Sequence, residues 1–308
     1  MRTKAGYKIP LHPKTWPTWL GFGVWWLLTW TLPRKTLLWM GVYLGRFAMR
    51  VSKRRTHIAR TNIDACFPEK TQAERDAILR ESMESIGKGF FEFGLAWFGP
   101  ISKLNHGYTI EGLEYIEQAQ ANGEGVLLIG FHFLTLEIGA ALISLNVSVD
   151  GFYQPHKNPV YEFVMKVGRE RHNKQGVSFQ KNDLRGVIRS LRKGRAVIYL
   201  NDQDLGPKRS EFVPFFGIQT ATVLGTSQLL RAGKARALFN ITGRNDDGTY
   251  FIKFVPPPKP LGQGDDFDDA KIINDFAEKV IRQQPEQYLW AHRRFKTRPE
   301  GEPPFYKM

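Results

Sequence analysis

An apolar run, Gly125-Val126-Leu127-Leu128-Ile129-Gly130-Phe131, ends in His132, and Glu137 follows five positions later. A histidine titrates close to neutral pH, so it can take a proton from a hydroxyl nucleophile. A carboxylate beside it fixes its tautomer and supports the charge it gains. In so apolar a setting that chemistry is acyl transfer to an alcohol. On one continuous helix a spacing of five would set the two side chains about 140° apart. They meet only if His132 sits in a strand-to-helix turn and Glu137 in the first helical turn, with Thr135 as N-cap of a helix reaching Leu145. The competing reading of His132 is a buried, hydrogen-bonded core histidine. The same spacing recurs at His106 and Glu111, where the polar flanks read as a surface strand.

Other polar clusters have competing readings. Arg169, in Val167-Gly168-Arg169-Glu170-Arg171-His172, is either a surface guanidinium paired with a glutamate or a cation for a phosphate or a developing oxyanion. Asp202 and Asp204, in Asp202-Gln203-Asp204-Leu205-Gly206, follow an apolar strand. Strand C-termini are where α/β proteins place ligand groups. The aromatic Phe212-Val213-Pro214-Phe215-Phe216-Gly217 reads as core or as the wall of an acyl channel. Arg293 and Arg294 open a basic stretch to Arg298, interleaved with aromatics, that suits phosphates, an acidic protein or nucleic acid, or is simply a charged surface tail.

The elements that must position these groups alternate. A capping box, Thr71-Gln72-Ala73-Glu74, opens a helix to about residue 91. Strands are expected at 108–111, 125–131, 147–153, 196–200, 235–242 and 250–255. Helices are expected at 113–121, 135–145, 159–172, 183–193, 221–232 and 268–283. The pattern implies an α/β fold with a mixed, largely parallel sheet flanked by helices.

Composition locates the rest. Cys66 is the only cysteine, so no intramolecular disulfide forms. The net charge of +14 sits at the N-terminus: residues 1–63 hold twelve Lys or Arg and no acid, whereas the other 245 hold 32 basic and 30 acidic residues. A near-neutral globular part argues against nucleic acid as partner. Six of the eight tryptophans also lie in that N-terminal stretch: Trp16, Trp19, Trp25, Trp26, Trp30 and Trp39. An apolar helix over 15–33 and an amphipathic stretch over 37–51, carrying Arg46 and Arg50, read as a membrane anchor over residues 1–51, with the globular domain at 52–308. Seventeen apolar residues are the lower limit for spanning, so spanning and monotopic forms both stay open. Four basic residues precede the apolar segment (Arg2, Lys4, Lys8, Lys14) and eight follow from Arg34 to Arg60, which puts the main domain on the cytoplasmic side.

Taken together, these stretches resemble the late acyltransferases of lipid A biosynthesis, nearest to the lauroyltransferase type that acts on the Kdo-bearing precursor. The resemblance runs through Leu11-His12-Pro13, Thr18-Trp19-Leu20-Gly21, Lys53-Arg54-Arg55, Cys66-Phe67-Pro68-Glu69, Gly130 to Glu137, Asp202 to Gly206, Val213 to Phe216, and Glu286 to Arg298. It implies a glycerolipid-acyltransferase-like fold on the cytoplasmic face of a Gram-negative inner membrane. The donor would be an acyl-acyl carrier protein and the acceptor a hydroxyl on an acyl chain of the lipid A precursor. His132 would be the base, Glu137 its orienting partner and Arg169 the oxyanion or lipid contact; Asp202 and Asp204 would support the site. With no Ser or Cys in the motif, direct attack in a ternary complex is the simplest course. No metal-ligand spacing is evident, and no cofactor is expected. Two rivals remain: acylation of lysophosphatidic acid or another glycolipid, and a membrane-tethered module that binds anionic ligands.

Overall fold

A computed structural model describes residues 7–104, 107–173 and 175–307. His106, Arg2 and Lys4 lie outside the described residues. The chain begins with four helices: α1 (Trp16–Thr31), α2 (Arg34–Val51), α3 (Lys53–Cys66) and α4 (Gln72–Phe98). The short α5 (Ile101–Leu104) leads into an alternating series. It runs β1 (Tyr108–Glu111), α6 (Leu113–Ala121), β2 (Gly125–Gly130), α7 (Leu136–Asn146), β3 (Val149–Tyr153), α8 (Pro159–Glu170), β4 (Ser178–Gln180), α9 (Leu184–Arg192) and β5 (Ala196–Leu200). A hairpin, β6 (Ser210–Phe215) and β7 (Ile218–Val223), precedes α10 (Gly225–Gly233), β8 (Ala235–Arg244), β9 (Tyr250–Val255) and α11 (Asp266–Gln283).

Seven strands form one sheet in the order β1-β9-β8-β2-β5-β3-β4. Every pairing is parallel except β8 with β9, so the sheet is mixed and largely parallel, as the alternation implied. β2 is buried along its whole length. Its period-two side chains serve both faces. Val126 and Leu128 pack with Trp25, Leu95 and Leu142, and Leu127 and Ile129 pack with Ile63, Val187 and Leu230.

Two expected elements differ. The helix opened by the capping box is there with both reciprocal bonds, but it runs on to Phe98, because its glycines face partners rather than ending it. The segment expected to open a helix at 221 is instead the second strand of a hairpin, with helix only from Gly225. Its two-residue loop, Phe216-Gly217, has positive φ at both positions (51° and 71°), the twist that suits a tight hairpin.

The N-terminal helices dock on the domain through small residues and rings. A methyl group at Gly41, Gly45 or Gly87 would overlap facing backbone, so α2 and α4 touch main chain to main chain. Trp25 of α1 stacks on Phe90 of α4 at 4.4 Å. Lys103 Nζ closes the end of α1 by donating to the carbonyls of Thr29, Trp30 and Leu32 at 2.7–2.8 Å. With sixteen residues α1 rises about 24 Å, short of the roughly 30 Å of bilayer hydrocarbon. Among the described residues no helix is long and apolar enough to cross a membrane.

Candidate active site

Residue Gly130 of β2 lies in register with Leu200 of β5 on the adjoining parallel strand. His132 and Asp202 each stand two residues beyond that pair, so the sheet delivers them to one place. His132 Nδ1 lies 2.5 Å from Asp202 Oδ1, and the His132 backbone N–H donates to Asp202 Oδ2 at 2.9 Å. Tyr288 adds its hydroxyl to Oδ2 at 2.9 Å. It arrives on the C-terminal segment, which clamps the loop from outside. Leu289 N–H donates to the His132 carbonyl at 3.0 Å, and Leu134 N–H to the Gln287 carbonyl at 2.7 Å.

Burial alone would raise the Asp202 carboxyl. The nearby His132 charge and the bonds from His132 and Tyr288 outweigh it and hold the pKa at about 2. An ionised carboxylate on Nδ1 keeps the proton there and leaves Nε2 as the basic atom. The His132 side chain is 22 % exposed, open enough for a substrate hydroxyl to reach it.

The sequence pairs His132 with Glu137; the structure pairs it with Asp202. Glu137 stands in the first turn of α7 as expected, but its carboxylate is bonded to other partners. It accepts from Trp97 Nε1 at 2.7 Å and from Arg169 Nε at 3.0 and 3.1 Å, with Arg169 Nη2 also bonded. Arg169 is thus paired with a glutamate, as one of its two readings has it, but in a partly buried setting rather than on the open surface. Burial works to lower its pKa, and the Glu137 charge and hydrogen bonds raise it instead. Together with Trp97 the pair lines a mainly apolar cavity of about 100 Å³, walled also by Leu136, Tyr153 and Leu200. Thr135 sits before α7 without capping it; its hydroxyl meets that of Thr242 at 3.1 Å.

The C-terminal basic stretch is largely structural. Arg294 is 3 % exposed and donates to the Ala221 carbonyl and Thr222 hydroxyl of β7. Arg293 lies over the Tyr306 ring, 5.2 Å from its centroid. Arg298 is held by the Gln219 carbonyl and Glu302. Asp204 is bonded elsewhere. It takes Thr297 N–H and Oγ1 at 2.7 and 2.9 Å, fastening this tail to the loop after β5. Tyr288 and Trp97 went unassigned in the sequence because an isolated aromatic reads as core.

His292, one turn past Leu289, has a buried Nε2 with no hydrogen-bond partner among the described residues. Burial first, then the His132 charge, brings its pKa down to about 4; burial does the same to His172, with help from Arg171. Both are neutral when folded at pH 7. Below about 6.5 the unfolded chain binds protons that the fold refuses, so stability falls as pH drops from about 6.5 to about 4. His292 accounts for on the order of 2 kcal/mol of that loss. Asp202 contributes in a lower window: its stabilisation is present above the ordinary carboxylate range and disappears as pH falls toward about 2. Urea midpoints are therefore expected to drop between pH 7 and pH 5, and less steeply in His292→Gln; a flat profile over that range would contradict the assignment.

Comparisons with known proteins place the chain in a family. The family model described as bacterial lipid A biosynthesis acyltransferase matches residues 4–297. The chain is 41 % identical over 298 residues to a lipid A biosynthesis lauroyltransferase of Escherichia coli (strain K12), covering 96 % of each chain. It is 40 % identical over 297 residues to a lipid A biosynthesis palmitoleoyltransferase of the same organism, again covering 96 % of each. It is 34 % identical over 304 residues to a lipid A biosynthesis myristoyltransferase of that organism, covering 96 % of this chain and 92 % of the relative. With a match across nearly its whole length, the chain belongs to the bacterial lipid A biosynthesis acyltransferase family and is an acyltransferase.

Proposed function

We propose that the chain transfers a fatty acyl group from an acyl-acyl carrier protein thioester to a hydroxyl on an acyl chain of the Kdo-bearing lipid A precursor. The observation that carries this reading is the His132–Asp202 pair at the ends of adjoining parallel strands, in a chain of this family. The acceptor hydroxyl lies against His132 Nε2. As its oxygen attacks the thioester carbonyl, its proton passes to Nε2, and the imidazolium is supported by the Asp202 carboxylate. The tetrahedral intermediate then collapses, the carbon–sulfur bond breaks, and the leaving thiolate takes the proton back. An acyloxyacyl ester and a free carrier thiol result, and no group on the enzyme is acylated. The cavity beside Glu137 and Arg169 holds apolar chain, and Arg169 contacts substrate while paired with Glu137.

The catalytic domain works at the cytoplasmic side of the inner membrane, with α1 and α2 in the interfacial zone. Trp16, Leu20, Trp26, Trp30, Trp39 and Phe47 are all exposed on these helices, in a stretch that contains no acid before Asp64. Aromatic and basic residues together suit the headgroup region of an anionic leaflet. The named relatives at 41 % and 40 % identity carry different acyl chains in their names, so cavity shape rather than overall similarity selects the chain.

The test is mass spectrometry of the Kdo-bearing tetra-acyl precursor after incubation with detergent-purified enzyme and a panel of acyl-acyl carrier proteins. A mass gain of one secondary acyl chain is expected. No gain with any donor, or acylation of lysophosphatidic acid in its place, overturns the reading.

A further inference from the structure

With Arg294 buried and Arg298 tied down, the C-terminal stretch is not a free surface for an acidic partner. A different surface is. Residues 181–195 hold six basic residues and one acid, Asp183, a balance of +5 within a 245-residue region whose total is only +2. Arg195 is neutralised by Asp150, and three of the five remaining basic residues sit on α9. Val187 and Leu191 are buried against the sheet, while Arg185, Arg189 and Arg192, followed by Lys193, are exposed on the opposite side of the helix.

These arginines differ from several others on the surface in their partners. Arg46, Arg60, Arg231, Arg236 and Arg282 each have a carboxylate within 2.8 Å. Arg189 and Arg192 instead donate to the carbonyls of Arg185 and Ala232, and among the described residues no carboxylate lies within ion-pair distance of any of the three. Asp183 is occupied as the α9 N-cap, accepting from Gly186 N–H at 2.9 Å. Leu184, 42 % exposed, adds an apolar group at the end of the stripe.

The stripe's place in the fold says what kind of partner it fits. α9 packs on the face of the sheet that holds Leu127 and Ile129, whereas α1 packs on the face with Val126 and Leu128, so the sheet separates α9 from the aromatic surface of α1. Unpaired arginines with an apolar group at one end of the stripe suit an acidic protein partner. Lys181 N–H donates to the Tyr153 carbonyl at the end of β3, which sets the start of α9 on the edge of the sheet that bears His132 and Asp202. Tyr153 and Ser178, on the strands leading to α9, also line the apolar cavity.

We infer that the outer face of α9 is the docking surface for the acidic carrier protein that brings the acyl thioester, an inference that rests on the donor proposed above. Charge complementarity steers the encounter and fixes the register, while Leu184 supplies an apolar contact. The arginines act in binding and not in the chemical step.

The test compares full-length R185E/R189E/R192E with a charge-matched control, K253E/K271E/K279E, altered on β9 and α11, away from α9. The α9 variant is expected to raise KM for acyl-acyl carrier protein at least tenfold, with kcat within twofold, and to weaken direct binding of the carrier equally. Transfer from a small acyl-pantetheine thioester and the KM for the lipid should be unchanged, and the control should behave as wild type. Equal KM and equal carrier affinity in the α9 variant would overturn this surface and leave the reaction intact. Loss of binding to anionic vesicles with carrier affinity retained would assign the stripe to lipid and also overturn it. Wild-type enzyme that neither binds nor uses any acyl carrier protein would overturn the donor itself, and the surface with it.

Discussion

Replacing His132 with alanine should lower kcat for acyl transfer by roughly 10²–10⁴-fold with the fold intact, because proton removal from the acceptor hydroxyl then has no base. The more telling variant is Asp202→Asn. The carboxylate takes Nδ1–H on one oxygen and the His132 N–H and Tyr288 hydroxyl on the other. An asparagine can turn its NH₂ toward Nδ1 and stabilise the tautomer with its proton on Nε2, where it blocks rather than accepts. The expected loss is on the order of 10²–10⁴ in kcat with KM little changed, as for comparable histidine–aspartate pairs. Single-turnover rates in the two variants and in Glu137→Gln separate the roles. Wild-type rates in Asp202→Asn would sink the pairing as a catalytic device, and full activity in His132→Ala would remove the base altogether.

The second large effect is on stability. Glu137 and Arg169 form a charge pair inside the layer between α4, α7 and α8, with the Glu137 side chain only 6 % exposed. Removing one member leaves the other charge in an apolar cavity, so Arg169→Met should cost about 3 kcal/mol of unfolding free energy. Removing both should cost much less: Glu137→Leu combined with Arg169→Met is expected to recover most of the loss. A double variant as unstable as the single one would mean that the pair is held by packing alone. The prediction also bears on activity, because a Glu137 variant that is inactive through unfolding differs in its melting curve from an inactive, folded His132→Ala.

Local chemistry made much of the frame legible. Strands with strong apolar runs, at 196–200 and 250–255, and the helix at 113–121 coincide with the observed β5, β9 and α6. Their signals lie within the element itself. The hairpin was hidden because Thr220 and Thr222 suit an N-cap as well as an edge strand, and because a bulky Phe216 occupies a positive-φ turn position that usually advertises itself with Asn, Asp or Gly. The site was half legible. His132 stood out by its context, but its partner was sought five residues away, whereas it lies 70 residues on, brought there by the adjacency of β2 and β5. Sheet order is a non-local property and spacing along the chain does not carry it. A usable signal did exist: Gly130-Phe131-His132 and Leu200-Asn201-Asp202 each place a titratable group two residues after an apolar strand. The basic tail misled for a related reason, since a guanidinium such as Arg294 can be consumed by backbone carbonyls of a distant strand.

The glycine seam between α2 and α4 has a mechanical consequence. Backbone rests on backbone at Gly41, Gly45 and Gly87, where no rotamer exists to take up slack, and further along α4 Gly89 comes against the Leu134 carbonyl, in the loop that holds His132. The linkage works as a jig with no hinge. Whatever surface α1 and α2 rest upon, the imidazole stands at one fixed height above it, so an acceptor held in that surface must lift its hydroxyl to that level.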